Sequence, residues 1–185
     1  MPYFPLFVNL EGKRVVVVGG GRVASRKVEK LLPFKPRIRV VAPEVTDYIQ
    51  NLWEKGEVEL LRRKLRMGDL RDAFMVVVAV DDTGLQRKIN RYCLKKGIHC
   101  NAVDHPDFCT FLFPALIVRG ELVIGISTSG KAPALSAGIR ELLEGKLPED
   151  VDKLLRELEN MRKGLPPGKK RQEELSSFVR RKLGL

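Results

Sequence analysis

The sequence predicts an α/β chain in three parts. Residues 1–113 form a doubly wound, mostly parallel sheet, 114–147 a small α+β unit of one hairpin and one helix, and 148–185 a helical tail. Three observations carry that prediction. "VVVVGGGRVASRK" (15–27) runs from an apolar strand through a glycine triplet into a helix. Strand and helix signals then alternate as far as about residue 110. Beyond it the alternation stops, and paired strands followed by amphipathic helices take over.

The first strand is expected at 14–19, because consecutive valines suit a strand buried on both faces of a parallel sheet. A helix over 22–32 follows, with Ala24, Val28, Leu31 and Leu32 along one face. Gly19, Gly21 and Ala24 between them match G-x-G-x-x-A, the dinucleotide-binding fingerprint of a Rossmann-type sheet. In that pattern Gly19 permits the tight turn, Gly21 lets a pyrophosphate approach the backbone, and Ala24 lets helix and strand pack closely. The free N–H groups of the first helical turn then face the phosphates. Arg22 stands at the mouth of the turn, as a phosphate contact or as a solvated charge.

The second strand is read at "RIRVVA" (37–42), and a helix carries the stripe Val45, Ile49, Leu52, Trp53. Strands at "VELL" (58–61) and "FMVVVAV" (74–80) come next, then a helix marked by Leu85, Ile89, Tyr92 and Cys93 that Gly97 ends. "IHCNAV" (98–103) closes the series. Ligands of such sheets sit beyond the carboxyl ends of the strands, at the switch point beside the first one.

"PALIVRGELVIGIST" (114–128) reads as a hairpin turning at Arg119-Gly120-Glu121. The helix after it has Pro133 near its first turn and the stripe Leu135, Ile139, Leu142, Leu143. Two more amphipathic stretches, on Val151, Leu154, Leu155, Leu158 and on Leu175, Phe178, Val179, Leu183, are separated by "GLPPG" (164–168). Two strands and three short helices make a meagre core, so packing against the sheet domain or a second copy is expected, and a homodimer is inferred.

Composition bounds the function. Thirty-four Lys and Arg against twenty-three Asp and Glu give a net charge of +11 in 185 residues. That balance suits nucleic acid, an anionic membrane surface or a polyanionic small molecule. The basic clusters at 62–66, 168–171 and 180–182 lack the aromatic platforms of single-strand binders. No apolar run approaches a membrane span, and the N-terminus lacks a signal peptide's basic start, so no membrane association and a cytoplasmic location are expected. Cys93, Cys100 and Cys109 read as reduced thiols, and the spacing of His99, Cys100, His105 and Cys109 fits no structural zinc pattern, so no metal is expected.

Two segments carry candidate chemistry. "NAVDHPD" (101–107) follows the last sheet strand and places Asp104 where an acid accepts a proton as hydride leaves; a turn-former before Pro106 is the alternative. "STSGKAP" (127–133) sets Ser127, Thr128, Ser129 and Lys131 at a helix start, either to hold a substrate carboxylate or merely with Ser129 as N-cap.

Together these segments resemble precorrin-2 dehydrogenase, the family that includes the N-terminal part of siroheme synthases. The likeness runs from "LFVNLEGKRVVVVGGGRVASRK" through "VVAPEVT" and "VAVDDTGLQRKI" to "CNAVDHPDFCTFLFPALIVRGELVIGISTSGKAPALSAGIR". The resemblance implies a homodimer that uses NAD to oxidise precorrin-2 to sirohydrochlorin, on the way to siroheme. It puts cofactor contacts on Arg22, Val23, Pro43 and Glu44, and the family's important aspartate on Asp104. A serine phosphorylated in some relatives corresponds to Thr128. Glu44 lies two or three positions beyond the end of the second strand, so preference for NAD over NADP is implied by the resemblance alone.

Such a substrate accounts for the charge: its acetate and propionate groups suit a basic cleft, with Arg119, Lys131 and Arg140 as candidate partners. Some relatives also insert iron into sirohydrochlorin, which no feature of the sequence decides. The length leaves no room for the methylating domain of fusion forms, so methyl transfer is not expected. A dinucleotide-sensing regulator with a nucleic-acid-binding tail is the reading from another class. It would need a tight helix pair, for which "GLPPG" is a poor turn, so no nucleic-acid partner is expected.

Overall fold

The computed structural model describes residues 2–103 and 105–185, in two compact units: residues 4–113, and residues 114–185 together with 2–3. In the first unit the elements follow as β1 (Arg14–Val18), α1 (Arg22–Leu31), β2 (Arg37–Val41), α2 (Asp47–Glu54), β3 (Glu59–Leu61), β4 (Met75–Val78), α3 (Thr83–Lys96) and β5 (His99–Ala102). All five strands are parallel, in the order β3-β2-β1-β4-β5. The chain thus winds outward from β1 in both directions, and the switch point lies between β1 and β4.

The valine run is explained by that position. Val15 and Val17 face one hydrophobic cluster with Ala24, Val28 and Leu31 of α1 and Ile49 and Leu52 of α2. Val16 and Val18 face the other, with Val76 and Val78 of β4 and Ile89 and Cys93 of α3. A strand covered by helices on both faces has no polar side, hence four apolar residues in a row. Gly97 ends α3 at φ 67°, as the sequence predicts, and at its start Asp82 accepts a hydrogen bond from the Leu85 N–H.

Element ends differ from the sequence reading by a residue or two. α1 stops at Leu31 because Pro33 follows, and Leu32–Phe34 form a single 3₁₀ turn. Trp53, expected on the buried stripe of α2, is 44% exposed. An eight-residue helix has a narrow inner face, and Ile49 and Leu52 fill it.

In the second unit β6 (Ala115–Arg119) and β7 (Leu122–Ile126) form an antiparallel hairpin whose Gly120 has φ 55°. The helices α4 (Pro133–Glu144), α5 (Val151–Gly164) and α6 (Lys169–Leu183) follow. The Arg119 guanidinium donates to the Glu144 and Pro148 carbonyls, both at 3.0 Å, tying the hairpin tip to the end of α4. Lys182 and Glu157 pair at 3.3 Å between α6 and α5. Among the described residues no helix is long and apolar enough to cross a membrane.

One partly buried ion pair organises the loop between β3 and β4. Asp69 accepts two guanidinium bonds from Arg63, each 2.7 Å, and one from the Arg66 N–H at 2.7 Å. The hydrogen bonds from Arg63 hold the Asp69 carboxyl below its usual range. Because the folded-state pKa is depressed, the associated stability is complete above the unfolded-state carboxylate pKa and is lost as pH falls through the folded value. Asp69→Asn should therefore cost about 2 kcal/mol near neutrality. In thermal melts the gap between the two proteins should stay constant from neutrality down to about pH 5 and narrow below about pH 4.

Candidate functional site

The site grows from the exit of β1. Gly19 has φ 113°, and a Cβ there would strike the Ala79 carbonyl at the end of β4. A Cβ on Gly20 would strike the Glu44 carbonyl and come within 2.8 Å of Val45 Cγ1. These two glycines are demanded by packing alone. Gly21 is different: its φ of −78° and ψ of −172° suit any residue, and a Cβ there would meet nothing within 4 Å. Glycine at Gly21 therefore keeps open a space that the protein itself does not fill, as the approach of a pyrophosphate requires.

Gly21 is also the N-cap of α1, offers no side-chain cap, and the first turn holds no acidic residue. Among the described residues, no side-chain acceptor meets the N–H groups of Arg22, Val23 or Ala24, which leaves a donor set and a positive helix end for an anion. Arg22 and Val23 are exposed at its rim. Pro43 and Glu44 are exposed just past β2, on a segment whose Thr46 N–H donates to the Gly20 carbonyl at 2.9 Å. The pyrophosphate and ribose contacts expected from the sequence thus share one edge of the sheet, and the residues present fit a bound dinucleotide.

Asp104 lies outside the described residues. Its chain neighbours are held: the Val103 N–H donates to Val78 O at 3.0 Å and the His105 N–H to Ala102 O at 3.4 Å. Further on, Thr110 exchanges hydrogen bonds with the Cys100 backbone, covering the open edge of β5. Asn90 of α3 and Asn101 of β5, both buried, donate to the carbonyls of Phe108 and Phe111, each at 3.0 Å. Lys27 of α1 stands 4.2 Å from the Phe113 ring centroid. Cys93 and Cys100 are fully buried, and the Cys100 thiol is raised by its hydrogen bond to Cys93 and by burial. Burial also raises Cys109. Among the described residues no cluster of three or more His, Cys, Asp or Glu could hold a metal ion.

The second unit holds the remaining candidates. Thr128, rather than Ser129, meets the start of α4: its Oγ1 accepts from the Ala132 N–H at 3.0 Å and from Ser136 Oγ at 3.2 Å. Ser129 sits in the left-handed region at φ 54°, three residues before the N-cap position at Ala132, and accepts from the Tyr3 N–H at 3.1 Å. Ser127 Oγ accepts from the Ser129 N–H, and Lys131 is exposed. Arg140 pairs with Glu144 and Glu141, so it and Arg119 are both engaged intramolecularly.

Comparison with known proteins agrees with this geometry. Residues 6–115 match the family described as "Putative NAD(P)-binding", and residues 119–146 match the sirohaem biosynthesis protein central family. The chain belongs to the precorrin-2 dehydrogenase and siroheme synthase family. A siroheme synthase of Pseudomonas paraeruginosa is 39% identical over 154 residues, covering 83% of this chain and 33% of that protein. Siroheme synthase 1 of Serratia proteamaculans is 36% identical over 154 residues, 83% of this chain and 32% of its own length. The chain thus spans about a third of the length of these relatives. Among solved structures, SirC, a precorrin-2 dehydrogenase, superposes with a TM-score of 0.77 at 29% identity, covering 96% of this chain and 89% of that one.

Sequence reasoning missed Gly20, whose task is to let the segment after β2 lie against the turn. It also missed Asn90 and Asn101, because a buried carboxamide carries no periodicity signal. Thr46 was legible in principle, as a hydroxyl residue just before a helix. The differing demands on the glycines give a test. Gly21→Val should leave the thermal midpoint nearly unchanged and weaken NAD binding by roughly 100-fold or more, read by calorimetric titration. Gly19→Ala should instead destabilise the fold by about 2 kcal/mol or more, read by urea unfolding.

Proposed function

We propose that this chain catalyses the NAD-dependent oxidation of precorrin-2 to sirohydrochlorin, in a cytoplasmic homodimer. The observation that carries the reading is the open Gly21 at an uncapped helix start beside the sheet's switch point. It belongs to a chain whose solved neighbour over 96% of its length is a precorrin-2 dehydrogenase. Gly21 and the first turn of α1 hold the pyrophosphate, with Arg22 and Val23 at its rim. Pro43 and Glu44 flank the adenosine ribose.

Bound NAD supplies a hydride acceptor at its nicotinamide ring. The macrocycle loses two hydrogens, one as hydride and one as a proton, and its conjugation lengthens. Asp104 takes the proton in this reading, supported by its position in the sequence two residues past the last strand of the parallel sheet, β5. Ser127, Thr128, Ser129 and Lys131 are the candidates for the substrate's carboxylates. Arg119 and Arg140 contribute positive potential while serving their own unit.

The dimer is supported by α4, where Leu135 and Leu142 are 56% and 61% exposed at a seven-residue spacing, with Ile139 and Leu143 half-buried on the same stripe. A second copy is the occupant that covers such a stripe by symmetry. Sedimentation should give a dimer at micromolar concentration, and Leu135→Asp with Leu142→Asp should give a folded monomer.

The activity is tested by absorbance with precorrin-2 generated in situ. One NADH should form per sirohydrochlorin, and no product should form without NAD. Asp104→Asn should keep NAD affinity while lowering the single-turnover rate by roughly 100-fold. A rate within a few-fold of wild type would assign Asp104 to shaping the turn before Pro106.

A further inference from the structure

Two hydroxyl groups link the halves of the dinucleotide site. Ser25, in the second turn of α1, has its Oγ 3.1 Å from the Gly21 carbonyl and 2.7 Å from Thr46 Oγ1. A carbonyl only accepts, so when Ser25 donates its single hydrogen to Gly21 O, Thr46 is the donor to Ser25. Thr46 Oγ1 in turn accepts from the Ile49 N–H at 3.4 Å, capping α2. The chain of bonds therefore runs in one direction, from the start of α2 through Thr46 and Ser25 to the carbonyl of Gly21. The Thr46 main chain is fixed as well, by its N–H on the Gly20 carbonyl at 2.9 Å.

We infer that Ser25 and Thr46 are positioning residues for the dinucleotide, their shared hydrogen bond setting the spacing between the pyrophosphate end at Gly21 and the ribose end at Pro43 and Glu44. The inference rests on the NAD reading above. A ligand that touches both ends at once senses the separation between them, and a ligand that touches one end does not. Both hydroxyl residues are half-buried and outside the two apolar clusters, so removing an oxygen leaves the core intact. Thr46→Val also keeps the main-chain bond to Gly20.

The test is equilibrium binding to the full chain, by calorimetry for NAD and ADP-ribose and by ligand-observed NMR for adenosine. Ser25→Ala and Thr46→Val should each weaken NAD and ADP-ribose by roughly 5–10-fold. Adenosine, which has no phosphate and reaches the ribose end alone, should change by less than about two-fold. The double variant should be no weaker than the single ones, and Thr46→Ser should restore NAD affinity. Unchanged NAD affinity with a lowered melting temperature would overturn the proposal and leave the pair as a staple between α1 and α2. Equal losses for adenosine and NAD would overturn it too, by placing the effect at the ribose end. A wild-type protein that binds no dinucleotide would remove the NAD reading itself, and this inference with it.

Discussion

The exit of β1 is the constraint on which the rest of the site depends. The chain leaves a fully buried strand and must turn at once into α1, between the end of β4 on one side and the segment after β2 on the other. Neither Gly19 nor Gly20 has room for a Cβ, because the Ala79 and Glu44 carbonyls occupy that space. This close approach brings the start of α1 and the Pro43–Glu44 segment together, and Thr46 fastens them by both main chain and side chain. Only then does Gly21 acquire meaning: it is the glycine the fold does not need, at the place where a ligand would lie.

Much of this was legible in the sequence because its causes are local. The valine run, the glycine spacing and the Ala24–Val28–Leu31 stripe each report a geometric demand on their own segment. Gly97 as a helix end belongs to the same class. What was illegible depends on partners distant in sequence. The span between Gly20 and Glu44, or between Asn101 and Phe111, is set by the folded sheet. At the start of α4, the sequence offered Ser129 as a cap. The N-cap position falls instead on Ala132, without a side-chain cap, and Thr128 Oγ1 accepts from the Ala132 N–H.

The positive charge also divides by location. Arg63 satisfies Asp69, Arg39 pairs with Glu59 at 2.8 Å, and Arg119 is spent on two carbonyls. Such residues count toward the formal charge and serve their own loops. The last turns of α3 and α6, with Lys95, Lys96, Arg180, Arg181 and Lys182, complement helix ends. A count of formal charge thus does not separate residues that serve their own loops from exposed cations such as Lys131.

A crystal structure of the protein with NAD tests the central claim most directly. The account predicts the pyrophosphate over Gly21, with oxygens within hydrogen-bond distance of the Arg22 and Val23 N–H groups, and the adenosine ribose against Pro43 and Glu44. It also predicts that the nicotinamide is directed toward the carboxyl ends of β4 and β5. A dinucleotide bound elsewhere, with the space over Gly21 empty, would contradict it.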